Sequence, residues 1–167
     1  TMEELIQRFQ LKDVHYLLPQ ASGNSWYPFG FMEEIAKNEP YLTYSLEAYN
    51  RWLNDLYDRG IPPEKIILLG FSQGACLTAE YAIRNPKRYG GIILYTGGVI
   101  GPRGTKWSID GSFEGTPVFL GTSDIDEWVP EVRVLETAHL FKQMKAEPKC
   151  EIYKGMDHII NDDEVKH

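Results

Sequence analysis

The sequence predicts a three-layer α/β fold built on a mostly parallel sheet, and three observations lead there. Short apolar runs bounded by turn residues alternate with stretches of helical periodicity. Two of those runs, KIILLGF (65–71) and GGIILYTG (90–97), are apolar almost throughout, the pattern of strands covered on both faces. The chain of 167 residues, 43% of them apolar, is long enough for one ordinary core, so we expect one domain over 1–167.

The elements follow in order. Residues 2–9 (MEELIQRF) read as a helix, and 14–18 (VHYLL) as a short strand stopped by Pro19. Residues 19–40, rich in Pro, Gly, Ser and aromatics, read as a long structured loop. Leu42, Leu46, Tyr49, Leu53 and Leu56 recur at helical spacing over 41–59, and Gly60 with Pro62 and Pro63 ends that helix. A strand over 65–71 then leads into a helix over 73–85, a strand over 90–97, and a loop over 98–115. The strand portion of TPVFLGTSD falls at 117–121, a helix spans 131–146, and KCEIYKG (149–155) is the last strand. Strand and helix alternating at this spacing imply right-handed crossovers, parallel strands and helices on both faces.

Composition narrows the function. A formal charge of −7 argues against nucleic acid or an anionic membrane as partner, since phosphate contacts need a basic surface. No apolar run reaches the length of a membrane span, and TMEELIQRFQ lacks the layout of a signal peptide, so a cytoplasmic protein is expected. The two cysteines, Cys76 and Cys150, are too few for a disulfide framework or a metal knuckle and read as small buried hydrophobes. A small neutral molecule is the expected partner; a homo-oligomer is left open.

In a sheet of this kind ligands sit at the carboxyl ends of the strands. Ser72 follows the strand 65–71, Asp124 and Asp126 follow 117–121, and His158 follows 149–153 after a turn. Their order along the chain, Ser, Asp, His, is that of the α/β-hydrolase triad. A serine hydroxyl is a weak nucleophile until an imidazole accepts its proton, and a carboxylate must orient that imidazole and stabilise its charged form. In G-F-S-Q-G, Gly70 and Gly74 leave room for a turn tight enough to aim Ser72 out of the sheet. The Gln73 amide opens the following helix, where unpaired N–H groups favour developing negative charge. A lone GxSxG also arises by chance in glycine-rich loops. Its setting after a strand and before a helix, with acid and histidine downstream, carries the argument.

These segments resemble a known family. GFSQGA (70–75), DEWVP (126–130) and GMDH (155–158) are similar to the nucleophile, acid and histidine segments of the phospholipase/carboxylesterase family of α/β hydrolases, which includes bacterial carboxylesterases and acyl-protein thioesterases. PQASGNSWYP (19–28) resembles the loop that helps wall the substrate site in bacterial members. The likeness extends from about residue 14 to 160. It implies an α/β-hydrolase fold, Ser72, Asp126 and His158 in the triad roles, an oxyanion amide from Gln73, and no cofactor or metal.

The acid has two candidates. The family's usual spacing, Asp three residues before the Val of a Val-Pro pair, selects Asp126; counting forward from Gly121 selects Asp124. Asp124 also suits a turn-forming aspartate bonding its own backbone, and Glu127 a solvated position. A cation held by Asp124 and Asp126 would lack its remaining oxygen ligands. Among the other histidines, His15 falls inside the expected strand and reads as a packed core residue, His139 sits on a helix surface and His167 at the end of the chain. Trp26, Tyr27 and Trp128 are the expected substrate contacts, with Phe29 and Phe31 close by, although loop aromatics equally cover a core.

The resulting expectation is a serine hydrolase of neutral short- to medium-acyl esters or thioesters. The alternative is a catalytically impaired α/β-hydrolase domain with a ligand- or partner-binding role. A second oxyanion N–H normally comes from a loop after an early strand, and here the chain opens at Thr1 directly into a helix, while INDDEVKH stops after a helix-like start. The expectation is a fragment of a longer chain, lacking the N-terminal strand or strands and the C-terminal helix.

Overall fold

The computed structural model describes all 167 residues. Helix α1 (Met2–Phe9) is followed by a long irregular segment, the single-turn α2 (Ile35–Asn38) and the long α3 (Tyr41–Asp58). Then come β1 (Ile67–Phe71), α4 (Gln73–Arg84), β2 (Gly91–Tyr95), β3 (Pro117–Ser123), α5 (Glu131–Gln143) and β4 (Glu147–Tyr153). The four strands lie in sequence order, all parallel, with Ile67 opposite Gly91, Ile92 opposite Val118 and Pro117 opposite Glu147. Every strand therefore points its carboxyl end to the same rim.

Side-chain alternation divides the core in two. Leu68, Ile92, Leu94, Val118 and Leu120 face α4 and α5 in a cluster of 28 buried residues. Leu69, Phe71, Ile93, Tyr95 and Phe119 face α1 and the C-terminal segment, where only three residues are fully buried. The layer on that second side is thin. Helix α3 presents Leu42, Leu46 and Leu53 inward at helical spacing and stops at Gly60, whose φ of 81° suits a residue without a Cβ.

The β2–β3 connection contains no helix. Its backbone carbonyls are met instead by Arg133 of α5, a fully buried side chain that donates to Val99 (2.9 Å), Gly101 (2.7 Å) and Pro102 (3.3 Å). The guanidinium lies over the rings of Trp107 (5.1 Å) and Phe31 (5.9 Å) and pairs with Glu136 at 2.9 Å. A buried cation satisfied on every side stabilises a loop that makes no ladder of its own.

The strand expected at 14–18 does not form. Residues 11–20 have no regular structure and are exposed throughout, so His15 is a surface residue and not a core one. An apolar run becomes a strand only where an edge takes up its backbone groups, and β1 pairs with β2 alone. The 19–40 loop is irregular as expected, apart from a 3₁₀ turn at Ser22–Asn24 and α2. The fully buried Asn38 pins it, accepting from the Phe29 N–H (2.8 Å) and donating to the Gly30 carbonyl (3.2 Å). No helix is long and apolar enough to cross a membrane.

Candidate active site

Ser72 stands between β1 and α4 with φ 54° and ψ −121°, a conformation that costs a non-glycine residue free energy and holds its side chain clear of the sheet. Two backbone bonds maintain it: the Ser72 N–H donates to Tyr95 (3.0 Å), and the Ser72 carbonyl accepts from Cys76 (3.0 Å). Gly70 makes the turn sterically feasible, because a Cβ there would come within 2.5 Å of the Ala75 backbone nitrogen. Gly74 has no such duty. A Cβ on it would meet only the Trp26 indole nitrogen at 3.9 Å, ordinary contact.

From the ends of β3 and β4 come the other two groups. His158 Nε2 lies 2.8 Å from Ser72 Oγ, and His158 Nδ1 lies 2.6 Å from Asp126 Oδ2. The Asp126 side chain is wholly buried, and its second oxygen accepts from the backbone N–H groups of Trp128 (2.9 Å) and Val129 (2.7 Å). A carboxylate taken out of water and bonded on both oxygens has one orientation to offer the imidazole. The Phe71 ring, 5.0 Å from that of His158, backs the histidine. Asp124 is elsewhere: its Oδ1 accepts from the Gly155 N–H at 2.8 Å. Of the two acid candidates, Asp126 is the one beside the imidazole.

Gln73 uses both ends of its side chain on the 25–27 loop. Its Oε1 accepts from the Trp26 N–H (2.9 Å), and its Nε2 donates to the Tyr27 carbonyl (2.8 Å). Its backbone N–H, first in α4, has no partner within the protein and points from a helix N-terminus.

The expected substrate contacts separate. Trp128 is 73% exposed and, with Ile125, Glu127, Asp157 and His158, lines an open depression of about 220 Å³ beside Asp126. Trp26 is half-buried against Trp52, ring centroids 6.0 Å apart. Tyr27 corrects the expectation: at 2% exposure it is a core residue with its hydroxyl beside Cys76, and burial pushes its pKa far up. Phe31 is likewise buried and Phe29 exposed. A larger cavity of about 410 Å³, between α4 and the 105–110 loop, includes none of the three aligned residues.

Neither cysteine competes as nucleophile, for burial raises Cys76 to about 12 and Cys150 to about 11. His139 and Glu127 sit at the surface positions foreseen for them, and His167 stacks on Phe119 at 5.0 Å. No three His, Cys, Asp or Glu side chains gather as a metal site.

The profile of the family described as Phospholipase/Carboxylesterase matches residues 13–167. The chain belongs to that family. Acyl-protein thioesterase 1 of Saccharomyces cerevisiae is 34% identical over 129 residues, covering 73% of this chain and 55% of the yeast protein. The chain thus spans about half the length of the curated relatives it matches. Among solved structures, a phospholipase/carboxylesterase from Dyadobacter fermentans superposes with a TM-score of 0.84 at 42% identity, covering 89% of this chain and 71% of that one. SOBER1 from Arabidopsis thaliana shares the fold, with a TM-score of 0.77 at 19% identity over 98% of this chain and 86% of its own. The four parallel strands and their flanking helices make an α/β fold, and the matching family and structure place it among the α/β hydrolases.

Proposed function

We propose that the protein is a serine carboxylic-ester hydrolase, acting through an acyl-enzyme on neutral short- to medium-acyl esters or thioesters. The observation that carries this reading is the unbroken line of hydrogen bonds from Asp126 through His158 to Ser72. Ser72 Oγ attacks the ester carbonyl carbon while His158 Nε2 takes the hydroxyl proton, and Asp126 stabilises the imidazolium. The carbonyl oxygen, now anionic, is met by the Gln73 N–H. The tetrahedral intermediate collapses with transfer of that proton from His158 to the departing alcohol or thiol, leaving Ser72 acylated. Water then attacks the acyl carbon as His158 takes one of its protons, and the second tetrahedral intermediate collapses with return of that proton from His158 to Ser72 Oγ, releasing acid and free serine. One oxyanion N–H is worth on the order of 10² to 10³ in rate.

The exposed Trp128 beside His158 supports an apolar acyl group in the depression, and no lysine or arginine lines it to anchor an anionic one. Relatives named acyl-protein thioesterase support thioesters beside oxygen esters. A panel of p-nitrophenyl esters from acetate to decanoate, with a fluorophosphonate probe, tests the reading in wild type and Ser72→Ala. Hydrolysis and labelling should vanish in the variant. Hydrolysis that survives sinks the mechanism, and a wild type that takes no label is a binding domain instead.

A further inference from the structure

Asp124 was one of two candidates for the acid, and its position gives it a different task. The β3–β4 ladder ends at Ser123 opposite Tyr153. Beyond that pair the two strands run on into separate loops, one bearing Asp126 and the other His158. Asp124 bridges the gap twice: its N–H donates to the Tyr153 carbonyl at 3.2 Å, and its Oδ1 accepts from the Gly155 N–H at 2.8 Å. Gly155 turns the chain with φ 63°, a left-handed conformation that suits a residue without a Cβ. Over residues 154–157, the Gly155 N–H makes the one hydrogen bond to the acid loop. His158 comes three residues later, and its ring must meet Asp126 at 2.6 Å and Ser72 at 2.8 Å together.

We infer that Asp124 is a positioning residue that latches the histidine loop to the acid loop and so holds His158 between Asp126 and Ser72. The carboxylate touches no reacting group. It acts as a short acceptor whose reach matches the gap between the loops, and its charge is dispensable. An error of 1 Å in the placement of the base is costly, since proton transfer and attack both need aligned atoms. The inference rests on the hydrolase reading above.

The test compares Asp124→Ala and Asp124→Asn. Turnover of p-nitrophenyl butyrate is normalised to the folded fraction and to serine titrated by a fluorophosphonate. Asp124→Ala should lower kcat about tenfold with KM little changed, the scale of one lost hydrogen bond. Asp124→Asn, which keeps the acceptor oxygen, should restore kcat to within about twofold on the same scale. A purely structural role would lower the folded fraction and leave normalised kcat alone. Wild-type kcat in Asp124→Ala, or an Asn variant as slow as the Ala one, overturns the latch. Hydrogen exchange at the Gly155 amide of the wild-type protein is the second measurement and needs no variant to fold. It should be slower than at Lys154 and Met156, and equal rates would also overturn the latch. A wild type that does not react with the probe instead refutes the hydrolase reading, and Gly155 exchange still decides the latch.

Discussion

Gln73 grips Trp26 by the backbone: the side-chain Oε1 accepts from the Trp26 N–H at 2.9 Å while the Nε2 reaches the Tyr27 carbonyl at 2.8 Å. The residue directly after the serine is thereby bound to a loop 46 positions earlier in the chain. Gln73→Met keeps the side-chain length and removes both bonds, leaving the partly buried Trp26 N–H unpaired, while the Tyr27 carbonyl keeps the bond from Ser25 Oγ at 2.8 Å. We expect a loss of about 1–3 kcal/mol in urea unfolding and faster amide exchange at Trp26. An unchanged midpoint with unchanged exchange would show the clamp to be incidental.

The positive φ of Ser72 stores strain that a glycine would not feel. Ser72→Ala removes the hydroxyl and keeps the Cβ; Ser72→Gly removes both. The glycine variant should be the more stable of the two by about 1 kcal/mol, with neither labelled by a fluorophosphonate. Equal stabilities would mean the turn is relaxed in solution.

The two glycines flanking Ser72 should respond oppositely to alanine. At Gly70 the new methyl meets the backbone of Gly74 and Ala75 in the first turn of α4, which can retreat only by moving Ser72. A destabilisation of about 1–3 kcal/mol or more is expected. At Gly74 the methyl has room, and alanine is the better helix former, so stability should hold or rise by up to about 1 kcal/mol. Thermal melts of both variants check the contrast.

Glu164 should make stability fall as pH rises. Burial raises its pKa above the ordinary 4.5, outweighing the Asn161 N–H and Arg8, which lower it. One of its oxygens has no hydrogen-bond partner. The folded protein therefore holds this proton more tightly than the unfolded chain does. The stabilisation is fully present below the ordinary value and is lost as pH climbs through the raised one. Glu164→Gln should gain on wild type steadily across that window in urea midpoints measured from pH 4 to 8. A difference that does not change with pH would refute it.

The sheet and the site's outline were legible because both depend on local pattern. The long apolar runs 65–71 and 90–97, bounded by turn residues, carry the pattern of doubly covered strands, and a serine between such a strand and a helix stands at the carboxyl rim. The acid was narrowed to Asp126 by the resemblance to the family, whose usual spacing sets it before Val129-Pro130, and not by local pattern. Long-range partners were not legible. The 14–18 run has the apolar character of a strand, but nothing within it tells whether an edge lies alongside. Tyr27 and Trp26 are neighbours in a loop without periodicity, so no rule separates the buried one from the half-exposed one. The side-chain role of Gln73 and the carbonyls around Arg133, 31 to 34 residues away, emerge only once the chain is folded.

The unequal halves of the core set an order of local opening. The side covered by α1 and the C-terminal segment has few buried contacts and should open at lower free energy than the helix-packed side. Arg8 of α1 donates to the Ile160 carbonyl at 3.0 Å, two residues beyond His158. When this layer breathes, the imidazole is freed from one side while Ser72 stays fixed between β1 and α4. Heating should therefore silence the serine's reactivity before the sheet melts, with the histidine's tether as the weak point and the nucleophile's scaffold as the last part to yield.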